Sequence, residues 1–218
     1  MISDNLSAIR NKLPSAVKLV AVSKFHPSER LMEAYRAGQR VFAESRPQEL
    51  AAKVPQLPAD VEWHFIGHLQ TNKLKLVLPH VALVHSIDSE RLLEAVGKWA
   101  VTNGRTVSVL LEQHISADPT KQGFSEEEIA DILARAGDFP GVRFRGLMGM
   151  ASLTEDPAVI RADFARLKAT FEAVRRRFPH LDDFTELSIG MSDDWPLALE
   201  YGSTMVRIGT AIFGPREY

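Results

Sequence analysis

Three kinds of residue in this sequence stand where chemistry is commonly done. The stretch LVAVSKFHP (19–27) runs through four apolar residues, Leu19 to Val22, and then delivers Ser23 and Lys24. The simplest reading is that Lys24 marks the point where a buried strand reaches water. The other is an amine held by a rigid element and partly desolvated, which lowers its pKa and lets it form a Schiff base with a carbonyl compound. Two further stretches, SIGMSDDW (188–195) and RIGTAIFG (207–214), each put a glycine beside a small hydroxyl residue. Gly190 and Gly209 let backbone amides approach an anion, while Ser192 and Thr210 offer hydroxyl donors. Ser192 and Asp193 equally suit the cap of a helix over DDWPLALEYG, which accounts for one loop but not for the likeness of the two. Arg207 lies between Val206 and Ile208, so on a strand its side chain points away from both. Either it makes a surface salt bridge, or its apolar neighbours face helices and its guanidinium enters the interior.

The elements that must position these groups follow from an alternation along the chain. Eight short apolar runs read as strands: KLVAVS (18–23), RVFAE (40–44), EWHFIG (62–67), ALVHSI (82–87), TVSVLLEQ (106–113), RFRGLMGM (143–150), ELSIG (186–190) and MVRIGTA (205–211). Segments of helical period lie between them. Ser28, Ser89 and Ser125 stand ahead of three, and Asp156–Pro157 opens the longest, which ends in Arg175, Arg176 and Arg177. Ile2, Leu6, Ile9 and Leu13 predict one more helix at the N-terminus, with Ser3 or Asp4 available as its cap. Eight such units predict an α/β fold, a (β/α)8 TIM barrel with an extra N-terminal helix, taken as one domain over 1–218. A doubly wound sheet competes, but the first strand-to-helix turn, SKFHPSER, has no glycine fingerprint for a dinucleotide. In such a barrel ligands sit where strands end and helices begin, and phosphate sites are commonly built after strands 7 and 8. Lys24 and both glycine loops fall at that end. The carbonyl partner of Lys24 would then be the aldehyde of pyridoxal phosphate or a substrate of an aldolase-type reaction.

Composition narrows the setting. The chain has 218 residues, 45% hydrophobic and 25% charged, with a formal net charge of −2, so nothing favours nucleic acid or an anionic membrane as partner. There is no cysteine, which excludes disulfides and thiolate chemistry and fits a reducing cytoplasm. Charges interrupt MISDNLSAIRNKL, which is read as a helix rather than a signal peptide, and no apolar run is long enough to span a bilayer.

The blocks LVAVSKFHP, WHFIGHLQTNK (63–73), HSID (85–88), KQGF (121–124), RGLMGM (145–150), LSIGMSDDWPLAL (187–199) and GSTMVRIGTAIFG (202–214) cover the chain nearly end to end. On these the chain resembles the pyridoxal phosphate homeostasis proteins, which share the fold-type III, cofactor-binding barrel of the alanine racemase N-terminal domain. The resemblance implies pyridoxal 5′-phosphate as cofactor and Lys24 as the Schiff-base lysine. It implies Arg207 at the pyridine nitrogen, Ser192, Gly209 and Thr210 at the phosphate, and Met191 and Ile66 near the ring. Three positions depart from the family's usual pattern. In AESRPQE (43–49), Ser45 stands where asparagine is typical and is carried over as a cofactor-binding position; Arg46 replaces an aromatic, and His68 replaces a proline.

The resemblance implies a monomeric, non-catalytic carrier or regulator in intracellular pyridoxal phosphate homeostasis, with cofactor-requiring apo-enzymes as transient partners. A pyridoxal phosphate-dependent amino-acid racemase is the alternative. Racemisation needs an acid/base group on each face of the substrate carbon. Lys24 supplies one. Of the three tyrosines, Tyr35 and Tyr201 fall in predicted helices and Tyr218 ends the chain, while His26 stays open as a second group. Arginine does not protonate the pyridine, which leaves a weak electron sink. His64 and His68 have a helical metal spacing but straddle a strand end, so no metal site is expected. His80 and His85 are read as ordinary, Lys73 and Lys75 as a solvated face, and Trp63, Trp99 and Trp195 as packing residues.

Overall fold

Parallel strands buried on both faces demand near-continuous apolar sequence, and the eight runs supply it. In the computed structural model, which describes residues 1–116 and 122–215, they form β1 (Lys18–Val22), β2 (Val41–Glu44), β3 (Glu62–Phe65) and β4 (Leu83–Ile87). The circle continues with β5 (Val107–Glu112), β6 (Val142–Met148), β7 (Glu186–Ser188) and β8 (Met205–Ile208). Each strand pairs in parallel with the next, and β8 returns to β1, so the barrel closes. All eight predicted strands are present. Lys121 and Tyr218 lie outside the described residues.

Alternation along the strands divides the core in two. Leu19, Phe42, Phe65, Val84, Leu111, Leu147, Val206 and Ile208 face outward against the helices. Val20, Ala43, Leu83, Leu110, Met148 and Met205 fill the barrel interior. Arg207, between two outward residues, is therefore directed inward, as its strand position allows.

Helices α1 (Ile2–Arg10), α2 (Ser28–Arg36), α3 (Pro47–Lys53), α4 (Leu74–Val77) and α5 (Glu90–Thr102) are followed by α6 (Glu126–Ala134), α7 (Pro157–Arg177), α8 (Trp195–Glu200) and α9 (Thr210–Phe213). Three predicted caps are in place. Ser89 accepts from the Leu92 N–H, Asp156 from that of Ala158, and Ser125 and Glu128 form a reciprocal capping box. Two other helix starts differ from expectation. Helix α1 begins at Ile2, ahead of both Ser3 and Asp4, because Ile2 is drawn into the core and its N–H is satisfied by Glu33 of α2. Pro27, not Ser28, is the residue before α2, its extended backbone setting the entry angle and Ser28 forming the first turn. Helix α1 also ties the barrel seam, since the Asn5 amide donates to the Ile212 carbonyl after β8.

Candidate functional site

A cavity of about 230 Å3 opens at the C-terminal ends of the strands. Its lining includes Lys24 just after β1, Ile66 just after β3, Met191 and Ser192 after β7, Arg207 on β8, and Gly209 and Thr210 where β8 gives way to α9. Seven of the eight positions that the resemblance makes cofactor-binding thus share one cavity. Ser45 is the exception: it follows β2, where its carbonyl packs so close to Gly67 that a Cβ there would lie 2.0 Å from the oxygen. His26, Met148, Met150 and Asp193 complete the wall with Val22.

The two glycine–hydroxyl loops meet. The Ser192 hydroxyl accepts from the Gly209 N–H at 3.3 Å, so the corners after β7 and β8 form one unit. The capping role open to Ser192 and Asp193 goes unused: Asp194 precedes α8, and its carboxylate accepts the Met191 N–H at 2.5 Å. Gly190 has φ +96, and a Cβ there would strike Ala198 and Trp195, so this turn requires glycine.

Lys24 is held by its neighbours. Ser23 donates from its hydroxyl to Glu44 at 2.6 Å, and its carbonyl accepts from Lys53 at 2.9 Å. Lys53 is buried and also pairs with Glu44 and Glu49, each at 2.7 Å. Glu49 in turn accepts the Phe25 N–H at 2.7 Å. Phe25 is the one non-glycine residue with positive φ (+69) among the described residues, a left-handed conformation that costs about 1–3 kcal/mol and must be held by its surroundings. Arg46 lies over the Phe25 ring, 4.3 Å from its centre. Lys53 holds the backbone before Lys24 through the Ser23 carbonyl, and Glu49 holds it after Lys24 through the Phe25 N–H. Burial raises the pKa of Glu44, and Lys53 opposes that rise.

Arg207 is buried, and its donors go to the Ser188 carbonyl at 2.8 Å, the Ser188 hydroxyl at 2.6 Å and the Gly149 carbonyl at 3.0 Å. Burial lowers its pKa to about 10, so it remains a cation at neutral pH. Glu112, at the end of β5, is buried too. Desolvation first, then the nearby Asp88 charge, pushes its pKa up to about 7 against the pull of Arg207.

His85, read from sequence as ordinary, lies within β4 and is fully buried in the barrel interior. Its Nδ1 is 3.0 Å from the Ser188 hydroxyl, and its Nε2 is 2.9 Å from Nδ1 of His64. The alternation that placed Arg207 inside would also have placed His85 there. His64 does not join His68, which pairs with Asp88 at 2.9 Å, and no group of three metal-binding side chains occurs among the described residues.

An amine, a guanidinium and a pair of amide–hydroxyl corners around one cavity form a donor set for a small molecule bearing a carbonyl, a hydrogen-bond acceptor and an anionic group. Comparison with known proteins shows the family. Residues 1–217 match the family model of the alanine racemase N-terminal domain. The chain is 39% identical over 207 residues to the pyridoxal phosphate homeostasis protein of Pasteurella multocida, covering 94% of this chain and 88% of that one. Identity to the Escherichia coli protein of the same name is 38%, over 100% of this chain and 97% of the relative. Among solved structures, PipY of Synechococcus elongatus without pyridoxal phosphate superposes with a TM-score of 0.93 at 39% identity, covering 98% of this chain and 100% of that one. The form of PipY with pyridoxal phosphate bound gives 0.90 at 38%, with the same coverage. Alanine racemase of Corynebacterium glutamicum, at 13% identity and a TM-score of 0.79, shares the fold. The chain belongs to the pyridoxal phosphate homeostasis protein family, built on the barrel of the alanine racemase N-terminal domain.

Proposed function

We propose that this barrel binds pyridoxal 5′-phosphate through a Schiff base with Lys24 and serves intracellular pyridoxal phosphate homeostasis as a monomeric carrier or regulator, passing cofactor transiently to apo-enzymes. The observation that carries the reading is the bond from the Gly209 N–H to Ser192, which joins both anion-binding corners on the cavity that holds Lys24 and Arg207. Ser192, Gly209 and Thr210 would hold the phosphate, Ile66 and Met191 would flank the ring, and Arg207 would donate to the ring nitrogen. The solved relative with pyridoxal phosphate bound supports the choice of cofactor. The lack of cysteine fits a cytoplasmic setting, and the eight-unit barrel is read as one functional domain.

When bound, the cofactor supplies an aldehyde and a ring able to accept electrons. A guanidinium that stays protonated donates a hydrogen bond without giving up its proton, which keeps the ring a weak electron acceptor. That favours holding over turnover. Racemisation would need a second acid/base group, and in this cavity His26 is stacked on Phe213 with ring centres 5.0 Å apart. The purified protein mixed with pyridoxal phosphate is expected to gain a visible absorption band that borohydride makes permanent, and to leave alanine and serine enantiomers unchanged. Steady interconversion of those enantiomers would make it a racemase instead.

A further inference from the structure

Arg207 is a buried cation whose hydrogen bonds go to neutral acceptors, and a line of polar side chains runs from it through the barrel to the opposite end. The Ser188 hydroxyl touches His85, His85 touches His64, and Nε2 of His64 lies 2.8 Å from Glu62. Lys18, beside Glu62 on the barrel floor, donates to the same carboxylate oxygen at 2.9 Å. Both ends of this line are donor-only cations, and the one obligatory acceptor is Glu62.

Valence then fixes every proton. The bond from His64 first, helped by Lys18, lowers the Glu62 pKa to about 2, so the group is an acceptor at neutral pH. His64 must donate from Nε2. Burial lowers the pKa of both histidines, so His64 is neutral and its Nδ1 accepts. His85 therefore donates from Nε2 and accepts at Nδ1. That acceptor takes the Ser188 hydroxyl proton, which leaves the serine oxygen free to accept from Arg207. Reversing any link would leave a buried hydroxyl hydrogen without an acceptor.

We propose that Arg207–Ser188–His85–His64–Glu62 is a one-way hydrogen-bond relay in which a carboxylate on the barrel floor orients the arginine at its mouth. His85, His64 and Glu62 are positioning residues for the ligand that Arg207 meets. The inference rests on the reading of that ligand as pyridoxal phosphate.

Glu62→Gln is the informative variant, because the residue is half exposed at the strand start, far from the cavity, and the amide keeps its shape. The amide oxygen can still accept from His64 but carries no charge, so the pull on the His64 proton, and through it on the rest of the relay, weakens. In the cofactor-free wild-type protein, nitrogen-15 spectra of the imidazoles should show His64 and His85 as neutral Nε2–H tautomers. In Glu62→Gln, both histidines should keep the Nε2–H tautomer while their Nε2–H resonances move as the hydrogen bonds weaken, and the Arg207 guanidinium resonances should shift. The dissociation constant for pyridoxal phosphate should rise about threefold to tenfold, with a displaced absorption maximum. Ser188→Ala should weaken binding at least as much. An Nδ1–H or charged imidazole in the wild type would overturn the relay. So would a Glu62→Gln protein that loses thermal stability alone, with Arg207 resonances and cofactor affinity unmoved. If the wild type takes up no pyridoxal phosphate, the reading of the cavity fails, and the cofactor-free spectra still decide the relay.

Discussion

Behind Lys24 lie three charged side chains, Lys53, Glu44 and Glu49, outside the barrel wall; behind Arg207 run a serine and two neutral histidines inside it. The two supports serve different needs. The segment around Lys24 is a strained turn, and its carbonyl and amides need strong partners to stay in place. The Arg207 guanidinium sits on a regular strand and needs only its orientation fixed. A charge cluster resists backbone strain, whereas a neutral chain carries direction without adding buried charge to a space that already holds a cation.

Breaking the ionic support should have the largest effect. Lys53→Met leaves Glu44, fully buried, facing an apolar group, and is expected to cost about 3–5 kcal/mol in urea unfolding. Covalent retention of cofactor should fall with it, because the turn bearing Lys24 loses its anchor.

Glu112 offers an effect of opposite sign. Its pKa is raised in the folded barrel to about 7 from an ordinary 4.5, so the unfolded chain binds fewer protons between those values. The stability it contributes is present below about pH 4.5 and is lost as pH rises through 7. Glu112→Gln should therefore raise stability at about pH 8, by roughly 2–3 kcal/mol, and leave it unchanged near pH 4. Glu62 on the floor behaves oppositely: its pKa near 2 gives stability above the ordinary carboxylate range that disappears in acid, reduced by its solvent exposure. Thermal midpoints across pH for the two glutamine variants would separate them.

Arg207→Met sharpens the comparison. No carboxylate among the described residues is hydrogen-bonded to Arg207, and its loss orphans only the Gly149 carbonyl, since Ser188 keeps the Gly149 N–H on its carbonyl and His85 on its hydroxyl; about 1–3 kcal/mol is expected. That is less than for Lys53→Met, although the damage to cofactor binding should be comparable. The smallest change is Arg46→Ala, which removes an exposed guanidinium from the Phe25 ring and should cost about 0.5–1 kcal/mol by the same measurement.

Much of this architecture was legible in the sequence, because short apolar runs alternating with helical segments set the strands and strand ends set the mouth. Arg207 was legible only in part: two apolar neighbours on a strand send it to the other face, but whether that face was the surface or the interior was settled only by the packing of Val206 and Ile208 against the helices. The helix starts at Ile2 and Ser28 were less so, since a long-range partner, Glu33, and the backbone of Pro27 replaced the local caps. The clamp behind Lys24 was not legible, for Lys53 and Glu49 lie one helical turn apart on α3 and only the fold brings them to Glu44. His85 was overlooked although its alternation was visible, because a lone histidine announces no partner until His64 and Ser188 come across the barrel.

The most direct measurement is peptide mapping of the protein after pyridoxal phosphate binding and borohydride reduction. The account predicts one pyridoxyl group per chain on Lys24, and none retained by Lys24→Ala. A label on Lys53 or any other lysine, or equal retention by the Lys24→Ala protein, would contradict it.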